Sequence, residues 1–339
     1  MSNKTQKMKK NIVFTNEGIQ HSQEMNYSAA FTSEEDFNTF KENIKIEVIR
    51  YDNKNKELEF DLMGVDAPIA NALRRIMIAE VPTMAIHKVY IYQNTSIIPD
   101  EVLAHRLGLI PIYADPRLFE EKQEEDEYNE KNSLKFTLKI KCSKKEQYKN
   151  YSEADLENLT PETYLENAIV YSGDFKWVSQ GEQNKKFEEN PIRMVHDNII
   201  VAKLRENQEI ICEVICQKGI GKTHAKWSPV CTAYYRLMPE ININSDITGA
   251  KAQELKERCP LKVYDVQNNK AIVSNERACT MCRECIREDE EFNSKIELAK
   301  KKEHFIFTVE SVGIYEPHEI VKEAIQILKQ KASSFMLNL

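Results

Sequence analysis

The stretch from Asp66 to Pro82 commits the chain to a helix, and strand-like segments stand on both sides of it. Asp66 has the side chain of an N-cap, and Pro68 falls in the first turn, where its missing N–H costs little. Ile69, Leu73, Ile76 and Met77 follow at helical spacing. Upstream, Ile44-Lys45-Ile46-Glu47-Val48 alternates apolar and polar, as a half-buried strand does. Glu57-Leu58-Glu59-Phe60-Asp61-Leu62 alternates likewise after the turn-prone Asp52-Asn53-Lys54-Asn55.

Regular structure is expected to begin at Ile44, with residues 1–40 a polar arm lacking a sustained period. From Thr83 to Trp227 strands dominate the pattern. Phe119–Lys131 reads as an acidic, solvated loop, and Lys144–Asn167 gives no assignable period. Ile210, Cys212, Val214 and Cys216 share one face of a strand, where free cysteine serves as a small buried hydrophobe. His304–Val309 reads as a strand, and Pro317 opens a helix that runs almost to the end. Its stripe of Ile320, Val321, Ala324, Ile325, Ile327, Leu328, Ala332 and Phe335 is wider than one packed face needs. It can serve a sheet on one side and a partner chain's helix on the other.

A chain of 339 residues, 41% of them apolar, has room for two or three domains. The 47 basic and 54 acidic residues leave a net charge of −7, which argues against a protein whose main work is gripping a phosphate backbone. No run approaches the roughly 18 apolar residues of a membrane helix. Met1–Lys10 holds four lysines with no apolar core behind them, so no secretory signal is expected. The eight cysteines are then expected in a reducing compartment, free, metal-bound or redox-active rather than disulfide-paired.

Four of them form a pattern. Cys279-Thr-Met-Cys282-Arg-Glu-Cys285 is a C-x2-C-x2-C triplet, and Cys259, followed at once by Pro260, precedes it with 19 residues between Cys259 and Cys279. Three thiolates on successive bends of one loop can face a single cuboidal cluster, with the remote Cys-Pro as the fourth corner. The spacing favours one iron–sulfur cluster, 4Fe–4S or 3Fe–4S. Structural zinc, which usually takes two separated Cys pairs, and unligated thiols remain as alternatives. Arg277, Arg283 and Arg287 flank the triplet, either offsetting cluster charge or solvated. Gly219-Ile-Gly-Lys-Thr223 lacks the Walker spacing and is not read as a phosphate loop. The seven histidines are scattered, and His87 and His105 read as packed or solvated rather than catalytic.

The run from Asp66 to Pro82, continuing through Thr83–Ile86, Asn94–Ile98 and Asp100–Ile112, closely resembles the dimerisation segment of alpha-like RNA polymerase subunits. This family spans the archaeal and eukaryotic alpha-like chains and the bacterial alpha N-terminal domain. Lys218–Pro229 resembles the loop that closes the family's inserted domain, and Phe305–Gly313 with the Pro317 helix also fits. Ala114–Phe119, Ile192–Leu204 and the polar arm resemble the paralogue shared by polymerases I and III; the polymerase II counterpart is the alternative, and a ferredoxin-like electron carrier a remote third. Some members carry a ferredoxin-like insertion with a cluster.

The resemblance implies an α+β fold with a discontinuous dimerisation domain (41–82, 228–247, 297–339), a β-rich insert (83–227) and a small ferredoxin-like cysteine insertion (248–296). It implies a non-catalytic subunit that pairs with a smaller alpha-like subunit and carries the large catalytic ones. DNA would be met only through the complex, in the nucleus and nucleolus, with no membrane. The implied interface holds Ile69, Leu73, Arg74, Arg75, Ile76, Met77, Val321, Ile325, Leu328 and Phe335, with Arg74 and Arg75 as its polar contacts.

Overall fold

The structure is a computed structural model that describes residues 11–22, 34–123, 125–151, 156, 159–287 and 289–338. Its first half contains strands β1 (Asn11–Phe14) and β2 (Ile19–Gln20), helix α1 (Glu34–Asn43), strands β3 (Lys45–Asp52) and β4 (Glu57–Met63), helix α2 (Ala67–Ala79), strand β5 (Pro82–Asn94) and helix α3 (Asp100–Gly108). Strands β6 (Ser133–Lys141), β7 (Lys176–Val178), β8 (Glu209–Ile220) and β9 (Val230–Ile243) follow. Helix α4 (Ala250–Arg258), strands β10 (Tyr264–Gln267), β11 (Lys270–Val273) and β12 (Ile296–Ser311), and helix α5 (Pro317–Leu337) complete the main elements. Shorter strands and turns connect them.

Two compact units result. One comprises Met1–Tyr51, Leu58–Ala72 and Tyr234–Thr308; the other comprises Asp52–Glu57, Leu73–Ala233 and Val309–Leu339. The first is organised by β12, whose 16 residues pair with β1, β4 and β9 in a six-stranded sheet of order β2-β1-β12-β4-β3. Phe60 of β4 and Phe307 of β12 stack with centroids 5.1 Å apart, and Tyr235 meets Phe305 edge-on at 5.3 Å. A separate apolar cluster, including Leu255, Val263, Ile286, Phe292 and Leu298, forms the small core of the cysteine-bearing segment.

The second unit is built on a four-stranded sheet of order β7-β6-β8-β5. Ile210, Cys212, Val214 and Cys216 line its buried face, each no more than 2% exposed. Burial pushes the Cys212 thiol up to about 12 and the Cys216 thiol higher still, so both behave as apolar side chains. Leu134, Phe136 and Leu138 of β6 and Leu103 and Leu107 of α3 close the same core.

The helix expected behind Asp66 forms, and the Asp66 carbonyl accepts from Ile69 and Ala70 N–H in the N-cap position. The strand at 304–309 and the helix opened by Pro317 also form. Two expectations need correction. Regular structure begins before Ile44: β1 pairs antiparallel with β12, its Val13 is 6% exposed, and α1 precedes β3. Four residues are too short a strand for periodicity to register. The rest of the expected arm, residues 1–10 and 23–33, lies outside the described residues. Second, Asp100–Gly108 is a helix within a region read as strands. It carries Asp100 and Glu101 in its first turn and His105 and Arg106 in its last, the charge order a helix dipole favours.

Gly219 and Gly221 have packing roles, consistent with the missing Walker spacing. A Cβ on Gly219 would enter the Trp227 ring, and one on Gly221 would enter the Ile78 carbonyl. Gly64, which ends β4, has φ +74° and a backbone pressed against the Asn43 carbonyl. Gly64→Ala is expected to destabilise the chain by about 2 kcal/mol or more, because both the left-handed backbone and the close approach exclude a methyl group. Urea unfolding of the two proteins measures it.

Candidate functional site

Two features stand out: an apolar surface on the terminal helix, and the cysteine loop with the ion cluster that anchors it. The implied pairing residues divide by burial. Leu73, Ile76 and Met77 of α2 are 9%, 3% and 1% exposed, so they pack within their own chain. Ile69, Arg74, Val321 and Leu328 are half-buried, and Arg75 is exposed. Ile325 is 41% exposed and Phe335 68%, and Met336 and Leu337 extend the apolar surface to the helix end. Ile320 and Ala324 face inward at 0%. One side of the α5 stripe therefore packs within the chain, and the other is left to solvent. Lys331 of α5 pairs with Glu80 just beyond α2 at 2.5 Å, so the exposed stripe runs beside the end of that helix.

The cysteine loop is wound by local backbone geometry. Cys259 follows directly on α4, and the β10–β11 hairpin turns through Asn268 and Asn269, both at positive φ. A 3-10 turn at Glu276–Ala278 ends on Cys279. Met281 (φ 61°) and Arg283 (φ 66°) then take left-handed conformations between the cysteines, and Cys285 rides on a short helix, Glu284–Arg287. Two non-glycine residues at positive φ so close together are uncommon, and they curl the loop around its sulfur atoms.

The four sulfurs share one neighbourhood. Burial pushes the Cys285 thiol up to about 11, and charge at Cys279, Cys282 and Cys259 adds to the shift. Cys279 is raised by burial and by its neighbours Cys282 and Cys259. Backbone N–H groups of Val263 and Met281 reach the sulfurs of Cys259 and Cys279, each at 3.4 Å. The Tyr264 hydroxyl is buried beside Cys285, and burial and then Cys285 raise its pKa. Among the described residues, no three His, Cys, Asp or Glu side chains stand at metal-holding distance. The donor set nonetheless fits a thiolate-bound group: sulfur only, N–H donors aimed at two of the sulfurs, and the Tyr264 hydroxyl beside a third.

The flanking arginines have other partners. Arg283 donates to Thr15 O at 3.2 Å, and Arg287 pairs with Glu284 at 2.6 Å. Arg277 grips β4. Its guanidinium is bidentate to Asp61 (2.9 and 2.8 Å) and donates twice to Glu59 Oε1 (2.9 and 2.7 Å). His304 Nε2 stands 2.9 Å from Asp61 Oδ2, and Arg236 holds the Arg277 carbonyl at 2.8 Å. Sequence reading missed this cluster. Alternation does put Glu59 and Asp61 on one face of β4, but a carboxylate there reads as solvated until a distant segment covers it.

Asp61 is 5% exposed; burial acts to raise its pKa, but hydrogen bonds from Arg277 and His304 hold it below the ordinary 3.8. A carboxylate with a depressed folded pKa contributes stability that is complete above the ordinary value and lost as pH falls through the lower one. Arg277→Ala leaves Asp61 and Glu59 without their main partner and is expected to cost about 3 kcal/mol. Asp61→Asn should flatten the acid limb of a stability–pH curve below about pH 4. Urea unfolding at stepped pH reads both.

A sheet built from strands far apart in sequence, a second β-rich unit and a terminal helix with an uncovered apolar stripe suit an assembly scaffold. Residues 59–332 match the RNA polymerase Rpb3/Rpb11 dimerisation domain, and the chain belongs to that family. It is 44% identical to the Dictyostelium discoideum DNA-directed RNA polymerases I and III subunit rpac1, over 95% of this chain and 91% of that protein. It is 41% identical to the human RNA polymerases I and III subunit RPAC1, over 99% and 96%. Identity to the Dictyostelium RNA polymerase II subunit rpb3 is 35%, over 82% and 89%.

Proposed function

We propose that the chain is a non-catalytic assembly subunit of DNA-directed RNA polymerases I and III. In this reading it pairs with a smaller alpha-like subunit and nucleates binding of the large catalytic subunits, in the nucleus and nucleolus. It thereby supports synthesis of ribosomal, 5S and transfer RNA, meeting DNA only through the complex. The observation that carries the pairing role is the α5 stripe, in which Ile325, Phe335, Met336 and Leu337 stay exposed on a chain with a well-formed core. Exposed apolar surface of this kind marks a protein interface. The choice of polymerases I and III over II rests on 44% against 35% identity within one organism. The domain ranges 41–82, 83–227, 228–247, 248–296 and 297–339 belong to the same proposal.

Purification of the native complex is expected to bring down a smaller alpha-like subunit together with large subunits of polymerases I and III. A stable, partner-free monomer overturns the reading. Ile325→Glu with Phe335→Glu should abolish pairing while changing the chain's own stability by no more than about 0.5 kcal/mol per site, since both side chains are exposed. Co-purification and thermal unfolding separate the two effects.

Cys259, Cys279, Cys282 and Cys285 are proposed to hold one iron–sulfur cluster in a ferredoxin-like insertion, supported by their spacing and the N–H···S bonds at Cys259 and Cys279. A bound cluster would cross-link α4 to the triplet loop and stabilise residues 248–296 by mass action. Anaerobic purification should give a brown protein containing iron, and Cys282→Ser should reduce both iron and the protection of this segment from proteolysis. A colourless, iron-free protein with stoichiometric zinc assigns the site to zinc instead.

A further inference from the structure

Around Trp227, within the second unit, the structure gathers titratable groups that are scattered in sequence. His87 stacks on the Trp227 ring with centroids 5.6 Å apart, His224 stands edge-on to it at 6.4 Å, and His105 meets His224 at 6.4 Å. The Lys226 ammonium lies 4.4 Å from the centroid of the same ring. Its stem passes the end of α3, within van der Waals reach of Gly108. Lys226 Nζ donates to Ile86 O at 3.0 Å and stands 3.2 Å from His87 Nδ1. An ammonium can only donate, so Nδ1 must accept, and the proton of a neutral His87 is on Nε2. This leaves the half-buried ammonium its third hydrogen and the exposed His87 its Nε2–H.

Among the described residues, no carboxylate answers them. The bonds of Lys226 go to a carbonyl and an imidazole, and neither Lys226 nor Lys88 makes an ion pair with any described residue. Burial, then Lys226, Lys88, Lys122 and His224 in turn, all push the His87 pKa below its ordinary value. Burial likewise lowers Lys226. In a chain of net charge −7, Lys226, His87 and Lys88 form a cationic spot that no carboxylate among the described residues pairs with. A half-buried ammonium in that position is poorly solvated, and an incoming anion gains more from it than from a surface lysine.

The chemistry selects a carboxylate over a nucleic-acid backbone. Phosphate tracking needs a row of cations, and single-strand binding adds open aromatic faces. Here Trp227 is 4% exposed, covered by His87 and Lys226, and its Nε1 is already given to Gln217 O. The nearby guanidinium, Arg106, is turned to the carbonyls of Ile200 and Val201. We propose that Lys226 and His87, with His224 and Lys88 around them, form a docking point for an aspartate or glutamate side chain of a neighbouring protein subunit. The proposal rests on the assembly reading above.

The test uses the purified assembly with the full chain, in which presence of the smaller alpha-like subunit first verifies the assembly reading on its own. Zero-length carbodiimide coupling then joins an amine to a carboxylate in contact with it. Peptide mass spectrometry is expected to find Lys226 joined to an Asp or Glu of another subunit. Lys226→Met combined with His87→Gln should weaken retention of that subunit by roughly tenfold, while Lys226→Arg, which keeps the charge, should retain it. An intact assembly in which Lys226 yields no such product and is acetylated as fast as in the free chain overturns the proposal. So does protection of Lys226 that depends on added DNA or RNA.

Discussion

Asp61 is a carboxylate held inside the first unit, and an interior charge survives only with partners. Arg277 supplies two hydrogen bonds and His304 a contact, from positions 216 and 243 residues away in sequence. The consequence reaches beyond Asp61. Arg277 lies two residues before Cys279, so the bidentate grip that satisfies Asp61 also ties the start of the cysteine loop to β4. The same strand supplies Phe60 to the stack with Phe307 on its other face. One strand therefore serves the sheet core on one side and anchors the cysteine segment on the other.

With that arrangement, the proposed cluster would have a structural role. A group that holds Cys259 and the triplet together would restrain the chain on both sides of Arg277, and the ion cluster would carry that restraint to the pairing sheet. The second unit answers a different need. Its sheet buries Cys212 and Cys216 as apolar side chains, while α5 presents an apolar side to its own chain and another to solvent. Scaffolds of this kind keep a finished core and leave surface for other chains to cover.

Much of this was legible in one dimension. Asp66 and Pro68 announced α2, the alternation at 44–48 and 57–62 announced the first hairpin, and Pro317 announced α5. Each signal is local and repeats within a few residues. The failures were short or long-range. β1 has four residues, and α3 shows only Leu103 and Leu107 as a buried stripe before ending at Gly108. Glu59 and Asp61 sit where alternation assigns solvent, and His87 looked solitary because Lys226 is 139 residues away.

What the sequence determined by itself was the family, through the run from Asp66 to Ile112, the element types with strong local periods, and the sulfur chemistry available at Cys259, Cys279, Cys282 and Cys285. The tertiary structure alone decided that Leu73, Ile76 and Met77 belong to the chain's own core while Ile325 and Phe335 remain uncovered. It also decided that Arg277 is an anchor and that Lys226 meets His87 without a carboxylate between them. The physical reason is common to all of these. Periodicity records which side of an element is apolar, but burial and charge pairing depend on what arrives from elsewhere in the chain to cover that side.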